Sequence, residues 1–148
     1  METLFNLVNA SVLPAWALLI LAPRWSVTRK IVHSMLYPLV LGGVYAAGLV
    51  ATFMGLGSAD VDFTTIAGVR AIFESDLGVI VGWVHFLLFD LFVGAWVARD
   101  ASVRGVKHWM VVPCLLLCFM AGPLGLLLYL GVRTAVRRGG WVLEDKPC

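Results

Sequence analysis

The third apolar segment of the chain reads LGVIVGWVHFLLFDLFVGAWVA, from Leu77 to Ala98. A membrane-spanning helix needs about 20 consecutive, predominantly apolar residues, and this segment is long enough. It also contains two ionisable residues, His85 and Asp90. Ionisable side chains within a span are costly, and they usually face the interior of a helix bundle and mark a functional site. The segment therefore predicts a spanning helix that carries a candidate site.

The composition of the whole chain also indicates a membrane protein. Apolar residues make up 61% of its 148 residues and charged residues 14%, and the mean hydropathy is +0.94. Soluble domains have roughly 45–50% apolar and about 25% charged residues. These values exclude a disordered chain, a soluble enzyme and a nucleic-acid binder, and a net charge of +2 is too small to indicate a polyanionic partner. The first residues lack the basic region of a secretory signal, so we expect a prokaryotic or already trimmed chain.

Three further apolar segments are long enough to span a membrane. The four predicted spans cover about residues 3–21, 31–54, 77–98 and 109–132. We expect residues 1–138 to form a single transmembrane domain, followed by a polar tail at 139–148. A weak helical stripe in the loop after the second span predicts a short interfacial helix. The expected fold class is all-α, an integral membrane four-helix bundle with a short interfacial helix between spans two and three.

The lysines and arginines leave two topologies open for the last segment. With four full spans, the two sides of the membrane carry six and five of these residues, which is nearly a tie. If the last segment turns back, the count becomes ten against one. Gly122 and Pro123 lie in its middle, where proline favours a turn, although a lipid-exposed turn leaves backbone groups unpaired. In both topologies we expect the two short basic loops to face the cytoplasm or stroma.

Several polar or helix-breaking residues are predicted to share one depth in the membrane. At 1.5 Å per residue, the positions about 20 Å from the basic-loop side are Asn9, Tyr45, His85 and the pair Gly122 and Pro123. Asp90 is about 12 Å deep, near the level of Tyr37. His85 and Asp90 are about 140° apart around their helix, so they converge only through a pocket, a water molecule or a partner helix.

This layer predicts a polar pocket in the membrane. In it, His85 donates or accepts a proton, and Asp90 is its buried charge or orienting group. The expected substrate-binding residues are Asn9, Tyr37, Tyr45, Trp83, Gly122 and Pro123. In the alternative interpretation, these polar side chains hydrogen-bond across helices and only stabilise their packing.

A series of short motifs resembles a known family. In chain order they are Leu21-Ala22-Pro23, Thr28-Arg29-Lys30, Phe73-Glu74-Ser75, and Trp83-Val84-His85 with Asp90-Leu91-Phe92. Over about residues 8–134 the chain resembles the abscisic-acid-deficient-four-like family of small membrane proteins, as a bacterial-type member. The resemblance implies a role in carotenoid chemistry, because plant members are associated with forming neoxanthin from violaxanthin. It implies the bacterial inner membrane as the location, or a plastid membrane for a plant-type member.

The function implied by the resemblance is the isomerisation of a lipid-dissolved epoxy-carotenoid of the xanthophyll type, or of a related isoprenoid. His85 and Asp90 are the available acid–base pair. The alternative is a non-catalytic membrane protein that binds pigment or a partner membrane protein. A haem carrier is disfavoured, because His33 and His85 differ by about 16 Å in depth. We expect no cofactor, metal or nucleic acid. The expected partners are membrane lipid and a carotenoid or other isoprenoid, and the sequence leaves open whether the chain forms a homo-oligomer.

Overall fold

The computed structural model describes residues 1–57, 62–139 and 142–143. Its helices are α1 (Glu2–Leu21), α2 (Ser26–Ile31), α3 (Leu36–Ala51), α4 (Ile66–Ile72), α5 (Asp76–Val103) and α6 (His108–Ala135). A π-helical turn, Thr52–Leu56, extends α3. The described residues contain no strand. The predicted all-α class is confirmed, and α4 is the short helix expected between the second and third spans.

Four helical stretches are long and apolar enough to cross a membrane, as expected. They are Glu2–Leu21, Ser26–Leu56, Asp76–Val103 and His108–Ala135. The second differs from the predicted span at 31–54, because the basic loop before it forms α2 and the helix is interrupted before Leu36. Pro38 explains the interruption: it lacks the N–H that would bond to the Ser34 carbonyl, and its ring crowds that residue.

Local hydrogen bonds define the start of α4. The Thr65 hydroxyl accepts a hydrogen bond from the Gly68 N–H at 3.0 Å, as an N-cap residue does. Just before it, the Asp62 carboxylate accepts bonds from the hydroxyl and the N–H of Thr64, at 2.7 and 2.8 Å. These bonds hold the pKa of Asp62 below its usual value. The helix therefore begins at a side-chain cap encoded in the local sequence.

The chain divides into two compact units. The first comprises Met1–Val12 and Met35–Leu88, and the second comprises Leu13–Ser34 and Phe89–Cys148. Helices α3 and α4 belong to the first unit and α2 and α6 to the second, whereas α1 and α5 contribute residues to both.

Glycines allow close approach within the first unit. A Cβ atom on Gly48 of α3 would lie 2.6 Å from a methyl carbon of Val81 on α5. A Cβ atom on Gly82 would lie 2.5 Å from the ring of Phe73. Small residues bring helices together in membranes, where apolar burial supplies little driving force.

Replacing Gly48 by alanine is expected to lower the free energy of unfolding by about 1–3 kcal/mol, because the added methyl group must displace Val81. Gly43 is the matched control on the same helix, since a Cβ there meets nothing within 4 Å. Gly43→Ala should be neutral or stabilise the protein by up to about 1 kcal/mol. Equilibrium unfolding in detergent measures both changes, and equal values for the two variants would contradict the close approach.

In the second unit, the two halves of α6 pack against each other. Ala121 has non-helical angles, with φ −160° and ψ 79°. A Cβ atom on Gly125 would collide with the backbone nitrogen of Cys118 and the carbonyl oxygen of Cys114. In a straight helix, residues seven apart are separated by about 10 Å, so this contact requires the chain to reverse. The reversal occurs beside Gly122 and Pro123, where the sequence predicted a break.

Helix α6 also returns to the end of α5 from which it started. Arg133, near its C-terminus, lies 3.3 Å from the Asp100 carboxylate in the last turns of α5. The N-terminus of α6, His108, is only a few residues after that helix. A straight helix would separate His108 from Arg133 by about 37 Å. The fourth apolar helix is therefore a helical hairpin, which favours the topology in which the last segment turns back.

Candidate functional site

In the first unit, Asn9 and Trp83 join α1 to α5. The Trp83 Nε1–H donates to Asn9 Oδ1 at 2.8 Å, and the Asn9 amide nitrogen donates to the Phe5 carbonyl at 3.0 Å. The Phe5 and Trp83 rings lie 5.8 Å apart between centroids. Both polar atoms of the Asn9 side-chain amide are therefore hydrogen-bonded within the protein. This arrangement is typical of a side chain that links two membrane helices.

His85 lies beside Tyr45 in the same unit. Their ring centroids are 5.6 Å apart and inclined at 49°. The Phe86 ring is edge-on to the imidazole, 6.2 Å away. His85 is an exposed residue and Tyr45 is half-buried. The imidazole is therefore on a surface that a lipid-dissolved ligand can reach, next to a phenol.

Tyr37 links α3 to α1 in the first unit. Its hydroxyl donates to the Ser11 carbonyl at 2.8 Å. The hydroxyl therefore bonds to backbone, and this contact stabilises the packing of the two helices.

Asp90 lies at the reversal of α6 in the second unit. Its carboxylate accepts a hydrogen bond from the Gly122 N–H, the first backbone donor after the non-helical Ala121. Pro123 follows and has no N–H to satisfy. Asp90 acts as a cap supplied by another helix, and a carboxylate at a helix N-terminus also interacts favourably with the helix dipole. The backbone penalty of a break within the membrane is thereby reduced.

The structure therefore brings the predicted residues together in pairs. Asn9 contacts Trp83, Tyr45 contacts His85, and Asp90 contacts Gly122, each within one unit. Pro123 adjoins the third pair in sequence, and Tyr37 binds backbone. No group of three or more His, Cys, Asp or Glu residues in the described ranges is suited to hold a metal ion.

The sequence did not predict a buried ionic cluster in the second unit. Arg104 and Arg133 are 4% and 1% exposed, and both bind Asp100. The buried Tyr129 hydroxyl donates to the same carboxylate at 2.5 Å. Arg104 Nη1 donates to the Arg138 carbonyl at 3.1 Å. Both arginines also donate to Leu143, while Arg133 donates to Val142 at 2.6 Å.

Only part of this cluster has a sequence signature. Asp100 and Arg104 are spaced i,i+4, a common pairing on one helix. Arg104 and Arg133 are two of the basic residues whose distribution indicates the sides of the membrane, and that distribution does not predict that they are buried. The burial of Arg133 follows from the hairpin in α6, and hydropathy does not reveal that reversal. The cluster stabilises the junction of α5, α6 and the described tail residues.

A comparison with known proteins identifies the family. The family model described as ABA DEFICIENT 4-like matches residues 3–129. The chain belongs to the ABA DEFICIENT 4-like family. It is 26% identical over 123 residues to the protein ABA DEFICIENT 4, chloroplastic, of Arabidopsis thaliana, covering 79% of this chain and 56% of that relative. It thus spans little more than half the length of that relative. No solved structure matches the chain.

The predicted resemblance to this family is confirmed. The match to the ABA DEFICIENT 4-like family includes all of the predicted site residues, from Asn9 to Pro123. It also includes Asp100, Arg104 and Tyr129, whereas Arg133 lies beyond it.

Proposed function

We propose that this ABA DEFICIENT 4-like protein acts in carotenoid metabolism, within the bacterial inner membrane or, in a plant, a plastid membrane. The observation that carries the proposal is the family match over residues 3–129. The long apolar helices support it, because a polyene substrate dissolves in the bilayer and reaches the protein from lipid. The partners are accordingly membrane lipid and a carotenoid or related isoprenoid.

The proposed reaction is the isomerisation of an epoxy-carotenoid to an allene. One proton is added to the epoxide oxygen as its carbon–oxygen bond opens, and one is lost from a carbon of the adjacent polyene. Atoms and electrons therefore balance without an oxidant or reductant. The reaction needs a group that donates a proton and a group that accepts one. His85 and Asp90 are our candidates for groups that transfer a proton.

The surroundings of His85 support this role. The imidazole is exposed on α5, and the Tyr45 ring lies beside it, so a ligand arriving from lipid meets a titratable nitrogen and a phenol. Asp90 presents a carboxylate held by the Gly122 N–H. A positioned acid–base group contributes about 10²–10⁴-fold to a rate.

The second candidate function is pigment binding without catalysis. The observation that favours it is the aromatic surface beside His85, where Trp83 and Phe86 are 42% and 58% exposed. Flat aromatic side chains suit contact with a polyene, and no chemical step is then needed. The two functions make different predictions for a variant that removes only the imidazole.

His85→Gln is expected to abolish conversion of the epoxy-carotenoid, with a loss of at least about 100-fold. The test expresses the full chain in a host that makes violaxanthin and measures pigments and their isomers by chromatography. Asp90→Asn should reduce conversion similarly. Phe92→Leu is the control, because Phe92 is an exposed residue of the same helix and carries no titratable group.

The amounts of converted and of copurifying pigment distinguish the two candidate functions. If the wild type converts no carotenoid but copurifies with one, and His85→Gln lowers only the amount bound, the protein binds pigment. If the wild type neither converts nor binds a carotenoid, the proposed carotenoid role is wrong. If the wild type converts a carotenoid and neither His85→Gln nor Asp90→Asn lowers the conversion, the assignment of these two residues is wrong.

A further inference from the structure

A cavity in the second unit is lined by cationic side chains. Its volume is about 460 Å³. The lining residues come from the turn after α1, from α2 and the turn after it, from the end of α5 and the loop after it, and from the start of α6. The basic or titratable lining residues are Arg24, Arg29, His33, Arg99 and His108. No acidic side chain lines the cavity within the described part of the chain. Ligand-binding cavities commonly measure about 300–1,000 Å³, so it can hold a small molecule or part of a larger one.

The three arginines of this cavity have no carboxylate partner within ion-pair distance in the described ranges. Asp100 adjoins Arg99 in sequence, but its carboxylate is bound to the buried cluster of Arg104 and Arg133. The cavity therefore concentrates positive charge that the described protein does not neutralise. Arginine binds phosphate through planar, bidentate hydrogen bonds, which makes a phosphate group the natural complement.

The two histidines add hydrogen-bonding capacity. His108 Nε2 lies 2.7 Å from the Ile20 carbonyl, a bond in which the nitrogen donates and which orients the ring. The Nδ1 atom of His33 is buried and has no hydrogen-bond partner among the described residues. Because this nitrogen is inaccessible to water, His33 lines the cavity through its other atoms.

The remainder of the lining is apolar. It includes Pro23, Ala98, Val106 and Val111 beside the cationic side chains. A free inorganic anion would make no use of this apolar surface, whereas a phosphate attached to a hydrocarbon chain would contact both parts. The short basic segments that supply the arginines adjoin the ends of membrane-length helices, where lipid headgroups are found.

We propose that this cavity binds the phosphate group of an anionic membrane amphiphile, with the attached hydrocarbon against the apolar lining. The arginines hold the phosphate oxygens, and the histidines supply the remaining polar contacts. The site is distinct from the His85 surface and does not depend on the proposed carotenoid function.

The test measures phosphatidylglycerol binding to the detergent-purified full chain by native mass spectrometry. The double variant Arg29→Gln, Arg99→Gln should weaken binding at least about tenfold, because two charge-assisted contacts are lost. The matched control is Arg70→Gln, because Arg70 is an exposed arginine of α4 in the first unit. This variant should bind phosphatidylglycerol with an affinity within about twofold of that of the wild type. An unchanged double variant, or an equal loss in the control, would overturn the proposal.

A competition experiment distinguishes the sources of the phosphate. Millimolar inorganic phosphate should leave the bound phosphatidylglycerol in place, because it cannot use the apolar lining. Displacement by inorganic phosphate would overturn the proposal that the ligand is an amphiphile, and it would identify a site for soluble phosphate compounds. Melting temperatures without added lipid should agree between the double variant and the wild type, since both substituted arginines are exposed.

Discussion

Asp100→Ala is expected to lower the free energy of unfolding by about 3–5 kcal/mol, because it leaves buried charge uncompensated. Arg104 and Arg133 both bind this carboxylate and are 4% and 1% exposed. The buried Tyr129 hydroxyl loses its acceptor as well. Removing one partner of a buried ionic cluster is far more damaging than removing an exposed charge, since the remaining ions cannot regain water.

Equilibrium unfolding of the detergent-solubilised protein measures this loss. Glu74→Ala is the control, because Glu74 is exposed and its removal changes the net charge equally. The control should change stability by less than about 1 kcal/mol. Asp100→Asn, which keeps an acceptor oxygen but no charge, should fall between the two. A loss below about 1 kcal/mol for Asp100→Ala would mean that the arginines are not held by this carboxylate.

Gly122→Ala should destabilise the protein by about 3 kcal/mol, because its methyl group would occupy the position of the Asp90 carboxylate. The substitution combines the cost of overpacking with the loss of a hydrogen bond to a charged acceptor. Thermal and denaturant unfolding in detergent should both report the loss.

Gly131 supplies the matched control in the same half of α6, because a Cβ there meets nothing within 4 Å. Gly131→Ala should stabilise the helix by about 0.5–1 kcal/mol. A double-mutant cycle with Asp90→Ala tests the mechanism further. If Asp90 caps the half-helix, the two substitutions should be strongly non-additive, because either one removes the same contact. Additive losses would contradict the cap.

Local features of the sequence were sufficient to predict most of the helices. The apolar run from Leu77 to Ala98 predicted α5, although the helix extends to Val103, where the Asp100–Arg104 pair supports its last turns. Helix α2 was missed, because a short basic stretch has no hydropathy signal. The hydroxyl of Thr28 in α2 donates to the carbonyl of Ala22, just after α1, at 2.6 Å. This contact supports α2.

The sequence was sufficient to select the candidate residues, but it could not predict which side chains they contact. A histidine and an aspartate within an apolar segment can be recognised as candidate site residues without knowing how the helix is rotated. Their partners depend on the rotation of each helix and on the path of its neighbours. Tyr45 beside His85 and Gly122 beside Asp90 are therefore results of the tertiary structure.

By itself, the sequence determined that this chain is an all-helical membrane protein with long apolar helices, because hydropathy and helix length are local properties. The distribution of basic residues left two topologies open for the last segment, a full span and a segment that turns back. Only the tertiary structure decided that the segment turns back and how that turn is stabilised. Asp90 satisfies backbone that the break exposes, and the Asp100 cluster holds the returning Arg133. Both contacts join residues that are distant in sequence, so no local pattern encodes them.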